Sequence, residues 1–114
     1  MRIIGGYLRG KKILNPTDKS TRPLKDMVRE SIFNIIEHSK NEYVELNNAK
    51  VLDLFSGTGS FGIECLSRGA EKVTFFENYK DSIKILKKNL NLLNLNKCSK
   101  IIEKDAYNFS QSQD

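Results

Sequence analysis

The sequence has 114 residues, of which 39% are hydrophobic and 29% charged, and its formal net charge is +5. This length fits a single domain, and no apolar run approaches the ~20 residues that cross a bilayer, so we predict no membrane segment. Cys65 and Cys98 lie in no metal-binding or redox pattern. We therefore predict a cytoplasmic protein with reduced thiols and no metal site, in which Cys65 is a small core residue.

The positive charge is concentrated at the N-terminus. Residues 1–29 carry a net charge of +6 and residues 30–114 a net charge of −1. Such an asymmetry is typical of a segment that binds a polyanion, although a solvated basic surface also fits a charge run.

Residues 1–23 are predicted to form a basic β-hairpin arm followed by a loop. The β-prone runs RII and KKIL flank GGYLRG, whose glycines favour a bent connection. The polar stretch NPTDKSTRP then contains both prolines of the chain, Pro16 and Pro23.

Residues 24–48 are predicted to form a helix, to about residue 38, and a linker. The helix is indicated by apolar residues at helical spacing, namely Leu24, Val28, Ile32, Ile35 and Ile36.

Residues 49–114 alternate between strand and helix patterns. Strand patterns cover 50–55, 72–77 and 99–106, and helix patterns cover 61–68 and 79–94. The second helix has one apolar stripe, formed by Ile83, Leu86, Leu90 and Leu93. The β-α-β-α-β order predicts an α/β fold with a parallel sheet.

Each predicted strand delivers an acidic residue to one edge of this sheet. Asp53, Glu77 and Asp105 stand at the carboxyl ends of the three strands, where open parallel sheets bind ligands. Glu77 suits a ribose diol, and Asp105 with the N–H of Ala106 suits an adenine ring. Taken singly, Glu77 also fits a solvated strand end and Asp105 a helix N-cap.

The loop after the first strand, SGTGSFG, holds a G-x-G-x-x-G pattern at Gly57, Gly59 and Gly62. That spacing is typical of a turn that binds a pyrophosphate. Asp53 lies close before the loop, however, and an anion there disfavours a pyrophosphate. We interpret the loop as a cradle for the amino-acid moiety of S-adenosylmethionine, whose ammonium Asp53 can attract. A dehydrogenase that uses NAD is the weaker alternative.

At these residues the chain resembles the bacterial RsmD-type methyltransferases, which methylate guanine N2 in small-subunit ribosomal RNA. The resemblance runs from Met1 to about Ala106 and is carried by MRIIGGYLRGKKI, TRPLKDMVRESIFNII, VLDLFSGTGSFGIECLSRGA and FFENYK. It implies the N-terminal half of a class I, Rossmann-like methyltransferase that uses S-adenosylmethionine. It also implies ribosomal RNA as the partner and a monomer when the chain is full length.

The resemblance implies roles for three groups of residues. The cofactor site would comprise Asp53, Phe55, Ser56, Gly57, Gly59, Glu77, Asn78, Asp105 and Ala106. The mouth of the pocket would be formed by Thr21, Arg22 and Pro23. The surface that touches RNA would comprise Arg2, Tyr7, Arg9, Lys11 and Lys12, with phosphate contacts and a stacked tyrosine.

The sequence departs from the family in one respect. The family positions its target base with an Asn/Asp-Pro-Pro-Tyr/Phe loop after the fourth strand, and these 114 residues contain no Pro-Pro pair. We therefore assign no catalytic residue and expect a fragment or a truncated reading frame, whose missing part would flank the first strand.

Three alternatives remain open at this point. The chain could serve a methyltransferase that modifies amino groups in DNA or in other RNA. It could be a non-catalytic module that binds S-adenosylmethionine or RNA, or one half of a two-chain enzyme. An oxidoreductase that uses NAD is the least favoured.

Overall fold

The computed structural model describes residues 1–15, 30–36, 45–54 and 56–104. Residues 30–36 are helical (α1). Further along these described ranges follow β1 (Lys50–Asp53), α2 (Ser60–Ser67), β2 (Lys72–Phe76), α3 (Lys80–Leu92), a short 3₁₀ helix (Asn96–Cys98) and β3 (Ser99–Ile102). Within these ranges, none of the helices has the length and apolar character that crossing a membrane requires.

The three strands form a parallel sheet in the order β1-β2-β3. Asp53 lies opposite Phe75, which in turn lies opposite Ile101. The predicted β-α-β-α-β arrangement and the parallel sheet are therefore confirmed.

All three strands end earlier than the sequence pattern predicts, β2 by one residue, at Phe76. β1 ends at Asp53 rather than at residue 55, because the Ser56 hydroxyl donates to the Asp53 carbonyl (2.9 Å) and turns the chain. β3 ends at Ile102, where the Lys104 N–H donates to the Ile102 carbonyl (2.9 Å) and closes a tight turn. The predicted last residues of that strand, Asp105 and Ala106, lie outside the described residues.

One face of the sheet packs against α2 and α3. Val73 and Phe75 of β2 belong to a buried cluster with Ile63 of α2 and with Leu86 and Leu90 of α3. The predicted stripe of α3 is confirmed, since Ile83 is also buried and Leu93 packs against the cluster. Burial of this stripe holds the helix to the sheet.

The apolar face predicted for α1 is only partly correct for its described part, since Ile36 packs against the core as predicted but the other two isoleucines do not. Ile32 and Ile35 are exposed, Ile35 to 69%, whereas Phe33 is fully buried. The Phe33 ring lies 5.0 Å from the Phe61 ring, and the Arg68 guanidinium lies 4.7 Å over its centre. Burial of the large aromatic ring outweighs that of the two smaller side chains and sets the rotation of the helix.

The N-terminal arm, residues 1–15, is a hairpin. Arg2 and Lys12 form an antiparallel bridge, and the Ile3 N–H donates to the Lys11 carbonyl (2.9 Å). Ile3 and Ile13 are buried in the main core. The arm is thus packed onto the domain through Ile3, Leu8 and Ile13, with its basic side chains outside.

Candidate functional site

The carboxyl ends of the strands bring two of the three predicted acids together. Asp53 is the last residue of β1, and Glu77 directly follows β2. The Glu77 N–H donates to the Ile102 carbonyl at the end of β3 (3.1 Å). The third predicted acid, Asp105, lies outside the described residues.

The glycine loop, residues 56–59, crosses this edge and leads into α2. The Ser56 N–H donates to the Phe76 carbonyl (3.1 Å) and the Gly59 N–H to the Ser56 carbonyl (2.8 Å). Gly59 has a φ of 95°, and a Cβ there would lie 2.4 Å from the Leu86 side chain. Only glycine fits this turn and the close approach of α3.

Gly57, in contrast, faces open space. Its φ is 54°, and a Cβ built on it would meet nothing within 4 Å. The loop therefore leaves room for a ligand beside its backbone at Gly57. Gly62, the third glycine of the motif, serves packing instead, since a Cβ there would lie 2.3 Å from the Phe75 ring.

Glu77 links the loop to the start of α3. Its Oε1 accepts a hydrogen bond from the Gly57 N–H (2.8 Å), and its Oε2 accepts from the N–H groups of Asn78 (3.2 Å) and Tyr79 (3.0 Å). A carboxylate has about four acceptor positions, so three backbone donors leave it capacity for another. The side chain thus holds the loop and can also accept from a ligand hydroxyl.

Asp53 is buried at the base of the loop, with 8% of its surface exposed.

Cys65 of α2 is a buried thiol near two carboxylates. Burial raises the pKa of the Cys65 thiol to about 12, and the nearby charges of Asp53 and Glu64 add to this effect. Cys65 is therefore a protonated thiol at neutral pH and not a nucleophile. Its predicted place in the core is confirmed.

The arm presents its basic side chains next to an exposed tyrosine. Tyr7 is 72% exposed, and the side chains of Arg9, Lys11 and Lys12 are also exposed. The Arg2 guanidinium donates to the Gly10 carbonyl (2.8 Å), so it also braces the turn. The predicted polyanion-binding residues thus lie together on one hairpin.

Sequence reasoning missed the residue that anchors this hairpin. Glu64 of α2 is fully buried, and its carboxylate accepts from the N–H groups of Ile4 (2.9 Å) and Gly5 (2.8 Å). The same carboxylate pairs with the Arg68 guanidinium (2.8 Å). An acid within the otherwise apolar run FGIECL was the available signal, because a buried charge needs a partner.

Ser67, one turn further along α2, holds the turn of the arm. Its hydroxyl donates to the Gly5 carbonyl (2.6 Å) and accepts from the Leu8 N–H (3.0 Å), while its carbonyl accepts from the Tyr7 N–H (2.9 Å). The helix that begins at the glycine loop therefore also fixes Tyr7.

The remaining predicted site residues lie outside the described residues, namely Thr21, Arg22, Pro23, Phe55, Asp105 and Ala106. Among the residues that are described, no three His, Cys, Asp or Glu side chains group as a metal site would require.

Comparison with known proteins extends over the whole chain. The model of the family described as conserved hypothetical protein 95 matches residues 1–114. The ribosomal RNA small subunit methyltransferase D of Haemophilus influenzae is 41% identical over 99 residues, which cover 87% of this chain and 47% of the relative. The protein of the same name from Escherichia coli K12 is 35% identical over 109 residues, 96% of this chain and 52% of the relative.

A solved structure supports the same architecture. The Escherichia coli protein yhhF superposes with a TM-score of 0.78 at 33% identity, covering 96% of this chain and 55% of that protein. The chain therefore has the fold of the N-terminal half of a Rossmann-like methyltransferase, and it spans about half the length of the curated relatives it matches.

Proposed function

Because the chain belongs to the family of conserved hypothetical protein 95, which includes the RsmD-type enzymes, we propose that it forms the cofactor-binding part of a ribosomal RNA methyltransferase. Its cofactor is S-adenosylmethionine, and its target is a guanine N2 of small-subunit ribosomal RNA. The observation that carries the proposal is the open glycine loop at Gly57 with the Glu77 carboxylate bound to it.

The residues at this edge fit S-adenosylmethionine. Glu77 accepts a hydrogen bond from a hydroxyl of the ribose, and the Gly57 backbone, which no side chain covers, lies against the amino-acid moiety. Asp53, buried below the loop, favours the ammonium group and disfavours a pyrophosphate, so the site suits S-adenosylmethionine better than NAD. Ser56 and Gly59 shape the loop, and Asn78 borders it.

The rest of the cofactor site is proposed from the resemblance. Asp105 and Ala106 would receive the adenine ring, and Phe55 would line the pocket. Thr21, Arg22 and Pro23 would form its mouth.

When bound, the cofactor supplies an electrophilic methyl group, and the chain's own residues bind and orient it. The loop that positions the target base is not among these 114 residues, which contain no Pro-Pro pair. We therefore propose methyl transfer only for this chain together with such a loop, and assign no catalytic residue here.

The arm is proposed to bind the ribosomal RNA. Arg2, Arg9, Lys11 and Lys12 supply positive charge for phosphates, and the exposed Tyr7 ring can stack on a base. Because α2 fixes the arm through Glu64 and Ser67, RNA and cofactor would be bound by one rigid unit.

The proposal is tested by calorimetric titration of the chain with S-adenosylmethionine. We expect Glu77→Gln to weaken binding by roughly 10- to 100-fold, since it removes a charged acceptor from a hydroxyl donor. Glu71→Gln is the matched control, because Glu71 lies exposed just before β2, at the opposite end of that strand. Circular dichroism would verify that both variants fold.

Two outcomes would contradict the proposal. Equal affinities of the two variants would remove Glu77 from the site. Displacement of S-adenosylmethionine by equimolar NAD would favour an oxidoreductase instead.

A further inference from the structure

A second basic surface lies on the outer side of α3. Four exposed lysines form a stripe along this helix, Lys80, Lys84, Lys87 and Lys88. At about 100° per residue they occupy an arc of roughly 100°. Ile83, Leu86 and Leu90 are buried and occupy a separate arc, centred roughly 120° from that of the lysines, so the lysines face away from the core.

The segment that contains this stripe, residues 80–104, has the same net charge as the whole chain. Residues 80–104 contain seven lysines against Asp81 and Glu103, a net charge of +5. Lys87 pairs with Glu103 at 3.2 Å between exposed side chains, a contact that salt screens readily. The net charge of −1 for residues 30–114 does not reveal this positive block, because residues 30–79 carry a net charge of −4 that offsets it.

Asn89 joins α3 to both parts of the proposed site. Its side-chain amide donates to the carbonyls of Thr58 in the glycine loop (2.9 Å) and of Leu14 in the arm (3.1 Å). Its carbonyl oxygen accepts from the Leu14 N–H (2.8 Å). The lysine stripe, the loop and the arm are therefore held in one fixed geometry on the helix-covered side of the sheet.

We propose that the lysine stripe of α3 is a second phosphate-binding surface for structured RNA, separate from the arm. The inference rests on the proposed ribosomal RNA substrate and adds a second point of contact with it. Lysines act as point charges that suit phosphate backbones without reading sequence. A lipid surface is disfavoured because the apolar face that a membrane-bound helix inserts is here buried in the core.

The test compares two variants that lose the same charge. Lys84→Gln with Lys88→Gln removes two of the four charges of the stripe, and Lys50→Gln with Lys72→Gln removes the charges of two exposed lysines at the beginnings of β1 and β2. The affinity of the 114-residue chain for in vitro transcribed small-subunit ribosomal RNA is measured at several salt concentrations.

We expect the stripe variant to bind roughly three- to tenfold more weakly at about 0.1 M salt, and its plot of log affinity against log salt to be less steep by about one to two units. The control variant should stay close to the wild type. Equal behaviour of the two variants would overturn the inference while leaving the proposed function intact. Failure of the wild type to bind ribosomal RNA better than duplex DNA would overturn both.

Discussion

At the residue scale, the glycine loop contains two glycines with different duties. Both have positive φ, but Gly57 borders open space whereas Gly59 lies against Leu86 and Ile63. The G-x-G spacing therefore combines one position that serves the ligand with one that serves packing. This division follows from the backbone path between β1 and α2.

Alanine substitutions should separate these duties. Gly57→Ala costs about 1–2 kcal/mol of unfolding free energy through backbone strain alone. Gly59→Ala should cost about 1–3 kcal/mol more, because the added methyl group overlaps the Leu86 side chain. Urea unfolding monitored by circular dichroism measures both. Equal stabilities would show that the loop and α3 are less closely packed than the structure has them.

At this scale, the sequence predicts a site residue when its position along a strand determines where its side chain lies. Asp53 and Glu77 were predictable, because parallel strands deliver their carboxyl ends to one edge. Glu64 was not, because its partners Ile4 and Gly5 are distant in sequence and bind through their backbone. Nothing in side-chain type reveals which backbone groups a buried acid will meet.

At the element scale, α2 connects the glycine loop to the arm and holds the two in place. It begins directly after Gly59, and one turn later Glu64 holds the arm and pairs with Arg68. Both side chains of this ion pair are almost entirely buried. Removal of one charge would leave the other buried without its counter-ion, which is far more costly than loss of a surface pair.

We therefore predict that Glu64→Gln lowers the unfolding free energy by about 3–5 kcal/mol and weakens RNA binding through the displaced arm. Glu71→Gln, which breaks an exposed pair with Lys50, should change stability by about 1 kcal/mol or less. Urea unfolding and RNA affinity are measured on both variants. A Glu64 variant as stable as the control would contradict the role of Glu64 in holding the arm to α2.

The rotation of α1 shows why element faces are harder to predict than elements. Helical spacing indicated the helix, but it could not decide that Phe33 and Ile36, rather than Ile32 and Ile35, would face the core. The outcome depends on Phe61 of α2 and on Arg68 directly after it, because both contact the Phe33 ring.

At the scale of the whole molecule, the sheet is covered unevenly. β1 pairs with β2 on one side, and among the described residues no strand pairs with its other side. Leu52 of β1 is 66% exposed, and Leu54 just beyond it is exposed as well. Leu52 lies opposite Thr74 and faces the side of the sheet away from α2 and α3, so β1 is open to other chains through its free backbone and through this face.

We predict that the chain self-associates through this edge. Leu52→Thr with Leu54→Thr keeps or raises β propensity while reducing apolar exposure, so it should lower the average mass measured by light scattering. Ile35→Thr on α1 removes a comparable exposed side chain elsewhere and serves as the control. An equal decrease in average mass for both variants would indicate non-specific hydrophobic association rather than association through β1.

The same edge offers a place for the part of the relatives that lies outside the matched region, since the chain spans about half of their length. If the uncovered side of β1 is where further strands join, then the part of the Haemophilus influenzae relative outside the matched region should occupy it. Added as a separate polypeptide, that part should suppress self-association of the wild type and raise its melting temperature. It should lose both effects when a charge is introduced by Leu52→Lys. Suppression that survives this substitution would place the contact elsewhere on the molecule.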